Sequence, residues 1–204
     1  MPSPTTAARR ARTRPAGVPS PWQMFFTEFL KHPVMVGSIV PSSDKLIRKM
    51  LGRVDWDNTK VFVEYGPGVG TFCRPILDRM APDATLIVID TNPDFIRYLR
   101  HTITDPRFSA VLGSAADVEK IVADHGFESA DYVLSGLPFS TLPPGVGPAI
   151  AAGTHSVLRT GGAFLVYQFS PKVKDFLTPH FTSIDHDMEW WNVPPAQLYW
   201  AWKI

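Results

Sequence analysis

Two carboxylates and three glycines are spaced in this chain as a set able to grip a small ligand. Glu64 stands two residues ahead of Gly66, and Gly66, Gly68 and Gly70 alternate with Pro67 and Val69 before Thr71. Glycines at such spacing let the backbone turn sharply and approach a ligand closely, because no Cβ intervenes. Asp90 follows Gly70 by 20 residues, at the end of the apolar run Thr85-Leu86-Ile87-Val88-Ile89. A carboxylate at that place can accept hydrogen bonds from ribose hydroxyls. The alternative is that Glu64 only caps a helix and Asp90 only starts a turn.

The pattern E-x-G-x-G-x-G is not the dinucleotide fingerprint G-x-G-x-x-G, in which a helix dipole faces a pyrophosphate. The Glu64 carboxylate would repel a pyrophosphate and favour an ammonium. No G-x-x-x-x-G-K-[ST] is present, which argues against a P-loop. A nucleoside that carries an ammonium and no phosphate fits, and S-adenosylmethionine is such a molecule. Methyl transfer from its sulfonium is an in-line displacement that needs a positioned nucleophile and a dry site, not a covalent intermediate. It also needs somewhere for the acceptor's proton to go.

The elements that must position these residues follow from hydrophobic patterning. Val61-Phe62-Val63 reads as a buried strand leading into Glu64, with a helix over residues 71–80 after the glycines. A second strand over 85–89 ends at Asp90. Thr91 or Asn92 caps a helix with Pro93 in its first turn, running to about Arg100. Phe108 to Leu112 is a third strand, followed by Gly113-Ser114-Ala115 and a short helix over 117–124. Ala130 to Leu134 is a fourth, ending in Ser135-Gly136-Leu137-Pro138-Phe139. A helix over 147–158 leads through Gly161-Gly162 into a fifth strand over 163–169. After a short helix over 172–177, residues 181–191 and 197–203 read as two strands, and their short connection through Asn192-Val193-Pro194-Pro195 makes them antiparallel.

The chain has 204 residues, enough for one domain with a sizeable core. Apolar residues make up 45% and charged residues 19%, an ordinary globular balance. A formal net charge of +1 argues against a strongly basic nucleic-acid binder, and no nucleic-acid partner is expected. Cys73 is the single cysteine, so no disulfide framework or zinc-type cluster is expected, which suits a reducing, cytoplasmic setting. No apolar run reaches about 18 residues. The six histidines show no metal-ligand spacing, and no metal is expected. A monomer is expected.

Residues 1–20 hold Arg9, Arg10, Arg12 and Arg14, several prolines and no acidic residue, and read as a disordered basic tail ahead of a single domain over 21–204. The tail is either merely solvated or drawn to anionic lipid, worth about 1 kcal/mol per arginine near such a surface. From Trp22 to Lys31 the chain is amphipathic: Trp22, Phe25, Phe26, Phe29 and Leu30 cover an arc of about 140° at helical spacing. That face either packs on the core or lies in a bilayer interface. Pro33 ends or kinks this helix, and 21–43 reads as helix plus lid loop.

A β-α run closed by an antiparallel pair resembles the class I methyltransferases over nearly the whole chain. The expected architecture is a Rossmann-like α/β fold, a seven-stranded sheet with an antiparallel last strand, plus an N-terminal amphipathic helix. The layout implies cofactor contacts from Glu64, Gly66, Pro67, Gly68, Gly70, Thr71, Asp90, Thr91, Gly113, Ser114, Ala115, Ser135, Gly136 and Leu137. In that family an Asp often stands where this chain has Ser114.

Ser135-Gly136-Leu137-Pro138-Phe139 resembles the S-N-L-P-[YF] motif of rRNA adenine dimethyltransferases, whose Asn amide holds the target amino group. Gly136 replaces that Asn, and the extra helical domain of those enzymes is not expected after the last strand. A wider resemblance is carried by Phe29 to Ser43 (F-L-K-H-P-V-M-V-G-S-I-V-P-S-S), Glu64 to Phe72, Ser135 to Ser140, and Asn192 to Tyr199. These blocks together look like bacterial phospholipid N-methyltransferases. The resemblance implies successive methylation of phosphatidylethanolamine toward phosphatidylcholine by a cytoplasmic, peripherally membrane-associated enzyme. The helix over 22–31 and the arginine tail are then the expected contacts with an anionic membrane surface. Tyr65, Ser135 and Phe139 are the expected catalytic residues. Aromatic walls suit an acceptor that becomes a quaternary ammonium, and Tyr65, Phe139, Tyr167 and Trp191 are candidates. The other readings are a methyltransferase for rRNA adenine or another amine, and a cofactor-binding membrane adaptor without activity.

Overall fold

Side-chain alternation on the first strand sets the two faces of the molecule. β1 (Val61–Tyr65) is buried throughout. Phe62 joins one apolar cluster, while Val61, Val63 and Tyr65 join another on the opposite face. In the computed structural model, residues 44–191 and 195–204 are described, all within the compact unit Ile39–Ile204. The arginine tail, the helix over 22–31 and residues 192–194 lie outside the described residues.

Six more strands complete one sheet: β2 (Thr85–Asp90), β3 (Phe108–Leu112), β4 (Ala130–Ser135), β5 (Leu158–Gln168), β6 (Ser183–Glu189) and β7 (Ala196–Trp202). Their order is β3-β2-β1-β4-β5-β7-β6. The first five strands pair in parallel, and β7 runs antiparallel to both β5 and β6. This is the expected Rossmann-like sheet with its antiparallel last strand. The strand order reverses between β1 and β4, and ligands of such sheets bind in the crevice outside the strands' carboxyl ends at that point.

Helices cover both faces, as a mostly parallel sheet requires. On one face lie α1 (Asp44–Leu51), α2 (Cys73–Leu77) and α3 (Pro93–Thr102), which contribute Met50, Ile76 and Leu99 to the first cluster. On the other lie α4 (Val118–Asp124), α5 (Val146–Val157) and α6 (Lys174–Leu177), which contribute Val122, Ile150 and Leu177 to the second. The apolar stripe of α1 is Leu46, Ile47, Met50 and Leu51, and the indole N–H of Trp200 donates to the carbonyl of Met50 at 3.0 Å near the helix end. Asn92 caps α3 by accepting from the Asp94 N–H, with Pro93 in the first turn, as expected.

Several elements depart from their expected bounds, among them the strand expected over 181–191, which spans Ser183–Glu189. The helix expected over 71–80 is reduced to Cys73–Leu77. Pro75 explains the late start: as the third helical residue its missing N–H would have no partner anyway, whereas a start at Thr71 would leave a gap in the ladder. The fifth strand begins at Leu158, five residues early, and a register shift opposite Ala130 and Tyr132 absorbs the extra residues. Gly161, at φ +80°, turns the chain within that irregularity.

Candidate active site

The site grows from strand ends held level. Tyr65 pairs in register with Ile89 on one side and Ser135 on the other. Beyond these residues each loop is tied to a neighbouring strand. Gly66 N–H donates to the Ile89 carbonyl at 2.9 Å, Gly113 N–H to that of Asp90 at 3.0 Å, and Gly136 N–H to that of Tyr65 at 3.5 Å. The loops after β1, β2, β3 and β4 thus share one edge, and this brings together the residues expected to hold the cofactor.

The glycine loop needs its glycines for different reasons. All three have positive φ. A Cβ on Gly66 would meet Leu137 Cδ2 at 2.8 Å, and one on Gly70 would meet Leu99 Cδ2 at 2.7 Å. A Cβ on Gly68 would meet nothing within 4 Å, so open space lies over that residue. Pro67 is buried and its carbonyl accepts from Gly70 N–H at 2.8 Å, which closes the turn. Thr71 follows, half-buried.

Glu64 leaves β1 on the α2 face. It is 2% exposed, and the Cys73 thiol donates to its carboxylate at 3.3 Å. Burial pushes its pKa up to about 7; the thiol bond opposes this and the charge of Asp90 adds to it. A carboxylate so placed gains from a nearby cation. Burial likewise pushes the Cys73 thiol up, helped by Glu64, so it is not a thiolate.

Asp90 fastens the glycine loop to the end of β2. It accepts from the Asn92 N–H at 2.8 Å and from the N–H groups of Gly68 and Thr91. Burial raises its pKa and these three bonds oppose the shift. The exposed Thr91 takes part through its backbone. After β3, Ser114 accepts from the Ala116 N–H at 3.1 Å and so caps a short turn, while Ala115 is buried in the core.

The loop after β4 is held from β5. Ser135 is fully buried and its hydroxyl accepts from the Leu137 N–H at 3.1 Å. The Gln168 amide donates to the Leu137 carbonyl. Tyr167, half-buried, packs on Phe72 with ring centroids 5.1 Å apart, and its phenol lies over Gly136 where a side chain would project. Gln168 and Phe72 carry no mark in the sequence that would single them out.

The expected aromatic wall needs correcting. Tyr65 is fully buried on the face opposite Glu64, with its hydroxyl 3.0 Å from that of Thr154 on α5. Phe139 is 2% exposed, packed against Phe164 and Phe176. Neither ring lines an opening; both are core. Trp191 lies out at the end of β6, exposed. Of the four candidates, Tyr167 is the one whose ring lies over the β4 loop at Gly136. No group of three or more His, Cys, Asp or Glu is placed to hold a metal ion among the described residues.

No protein-family model matches the chain. The ornithine lipid N-methyltransferase of Singulisphaera acidiphila is 34% identical over 180 residues, which are 87% of this chain and 94% of that protein. This chain belongs to that lipid N-methyltransferase family. Two solved structures share its fold at low identity. One is the 1,6-didemethyltoxoflavin-N1-methyltransferase of Burkholderia thailandensis with bound S-adenosylhomocysteine: 15% identical, TM-score 0.63, covering 94% of this chain and 92% of that one. The other is the N-methyltransferase NodS of Bradyrhizobium japonicum: 14% identical, TM-score 0.62, covering 81% and 98%. Sequence and fold together make this lipid N-methyltransferase family member a class I, S-adenosylmethionine-dependent methyltransferase. No helix among its described residues is long and apolar enough to cross a membrane.

Proposed function

We propose that this protein methylates the head-group amine of a membrane lipid at the bilayer surface. The observation that carries the reading is the near end-to-end match to an ornithine lipid N-methyltransferase. The blocks resembling phospholipid N-methyltransferases point to phosphatidylethanolamine as a second lipid amine. Both lipids present a primary amine close to an anionic group.

The residues present fit S-adenosylmethionine. Open space over Gly68 admits a ligand against bare backbone, and the raised pKa of Glu64 marks a carboxylate short of positive charge. Glu64 would favour the methionine ammonium, Gly66 to Thr71 would take the methionine end, and Asp90 with Thr91 would take the ribose. Gly113 to Ala115 would border the adenine through backbone, since Ser114 and Ala115 turn their side chains to a cap and to the core. The cofactor supplies an electrophilic methyl group on a sulfonium.

Ser135, Gly136 and Leu137 would position the acceptor amine. The amine must be neutral when its lone pair attacks, so its proton must leave beforehand. The Tyr167 phenol, standing in place of an Asn side chain, gives that position a hydrogen-bonding oxygen and an aromatic face for a developing ammonium. Tyr65 and Phe139 hold the site from beneath and take no part in the transfer.

The test is a panel of acceptors with labelled cofactor: vesicles containing ornithine lipid, vesicles containing phosphatidylethanolamine, RNA, and small amines. Label on a lipid amine is the expected result, and the more active vesicle names the substrate. Label on RNA alone, or on nothing while the cofactor binds, overturns the reading.

A further inference from the structure

We propose that the edge bearing Phe169, Trp190 and Trp191, together with Lys45 and Arg48 of α1, docks onto the anionic face of a lipid bilayer. The choice of partner rests on the lipid-amine reading above. The surface is built of described residues alone.

The exposed large apolar side chains are not scattered. Val69 follows β1, Leu112 ends β3, Phe169 follows β5, and Trp190 and Trp191 follow β6. All five stand where parallel-running strands end, at the edge that holds the glycine loop. Among the described residues, only Tyr98 and Ile204 are exposed elsewhere. Val69 and Leu112 lie in or next to the loops expected to hold the cofactor. Nothing in that site accounts for Phe169, or for Trp190 and Trp191 at 68% and 78% exposure.

Register places these residues at the same edge of the sheet. β7 pairs Gln197 with Gln168 at the end of β5, and Ala196 with Glu189 at the end of β6. Continuing that register sets Phe169 level with Glu189, one residue before Trp190 and about 10 Å away across β7. Large exposed apolar side chains gathered at one edge mark an interaction site, and indole rings settle at the head-group level of a bilayer.

Charge selects the anionic leaflet. Lys45, Arg48 and Lys49 line an open cleft of about 520 Å³ with Met188, Trp190 and Trp191. The Lys45 ammonium sits 5.0 Å from the centre of the Trp191 ring. Lys49 is occupied by the Met188 carbonyl and Asp187. Glu189 also lines the cleft; it is buried and accepts from the Trp191 N–H. Lys45 and Arg48 remain, on flexible stems that can lie along the bilayer with their heads at lipid phosphates or carboxylates. Docking this edge sets the mouth of the site at head-group depth, so a lipid amine can reach it without leaving the membrane.

The test uses the full chain. Co-sedimentation with phosphatidylcholine vesicles, with and without phosphatidylglycerol, compares wild type with W190A/W191A and K45E/R48E. The tryptophan variant should lose about tenfold or more in partitioning on both vesicle types. The charge-reversed variant should lose roughly 25-fold or more on the anionic vesicles and little on the neutral ones. Inorganic phosphate should not displace the protein; displacement would reassign the basic pair to a free-anion site and overturn the proposal. Calorimetric cofactor affinity, and turnover of a short-chain lipid amine dispersed as monomers, should stay at wild-type level in both variants. Wild-type partitioning in both variants overturns the proposal and moves membrane attraction to residues 1–43. Intact docking without transfer to any lipid amine refutes the assigned activity and leaves the docking surface standing.

Discussion

The phenol of Tyr167 occupies the space into which a side chain at Gly136 would grow. A Cβ there would collide with the phenol oxygen and ring. The glycine is thus the complement of a tyrosine reaching over from β5, and that tyrosine is backed by Phe72. Gly136→Ala should displace the ring. Overpacking of this kind costs about 1–3 kcal/mol, and methyl transfer should fall tenfold or more, while S-adenosylhomocysteine affinity changes little. Pairing it with Tyr167→Leu should restore the melting temperature but not the rate. Calorimetry, thermal melts and the labelled-cofactor assay on the single and double variants give the coupling directly. Full activity in Gly136→Ala would remove Tyr167 from the acceptor site.

The buried Glu64 makes cofactor binding depend on pH. Its folded pKa, about 7, lies above the 4.5 of an ordinary glutamate. The folded protein therefore holds this proton more tightly, and the associated stability is fully present below pH 4.5 and lost as pH rises through about 7. A ligand ammonium favours the carboxylate, so binding should expel the proton. Affinity for S-adenosylhomocysteine should rise from about pH 5 to pH 7, by up to about tenfold per unit, and then level off. Calorimetry in buffers of different ionisation enthalpy should register proton release. Glu64→Gln should bind more weakly at pH 8 and show no such slope. The same slope in Glu64→Gln would assign the proton elsewhere.

How much of this was legible in the sequence varies with how far the cause lies from the residue. β1, β2, β3 and β4 were readable because each is a short stretch dominated by apolar residues, and the glycine spacing located the loop that follows β1. Alternation alone already sends Tyr65 to the face opposite Glu64, so its core position follows from parity, and a reading by residue type missed it. The shortened α2 also had a local cause in Pro75. The start of β5 did not, because Leu158-Arg159-Thr160-Gly161-Gly162 has no strand pattern and is drawn into the sheet by β4. The positions of Tyr167 over Gly136 and of Gln168 against Leu137 depend on a strand that arrives some 30 residues later.

Gly68 and Gly70 should separate binding from folding. Both have positive φ, where an L side chain costs about 1–2 kcal/mol. Gly70→Ala adds a collision with Leu99 in the core, so it should lower the melting temperature most. Gly68→Ala adds no contact with protein, and its methyl projects into the open space proposed for the cofactor. It should lose only the backbone term in stability but tenfold or more in cofactor affinity. Thermal melts with titration calorimetry on the two variants test the contrast. An equal loss of affinity relative to stability in both would place the ligand elsewhere.

Asp131 tests whether stability and chemistry sit at opposite ends of the sheet. At the amino end of β4 it accepts from the Lys60 and Val61 N–H groups at 2.7 and 2.8 Å and from the Arg159 Nε at 2.5 Å. It thereby joins the start of β1 to β4 and to the irregular start of β5. Asp131→Ala leaves two backbone donors and an arginine without their acceptor, a loss of about 2–4 kcal/mol, or roughly 4–16 °C in melting temperature for a chain of this size. Asp131→Asn keeps an acceptor and should lose about half as much. Since this carboxylate lies at the edge away from Gly68 and Asp90, cofactor affinity measured well below the melting temperature should be unchanged in both variants. A drop in affinity there would mean that the two ends of β1 are coupled, and that the glycine loop depends on how the strand begins.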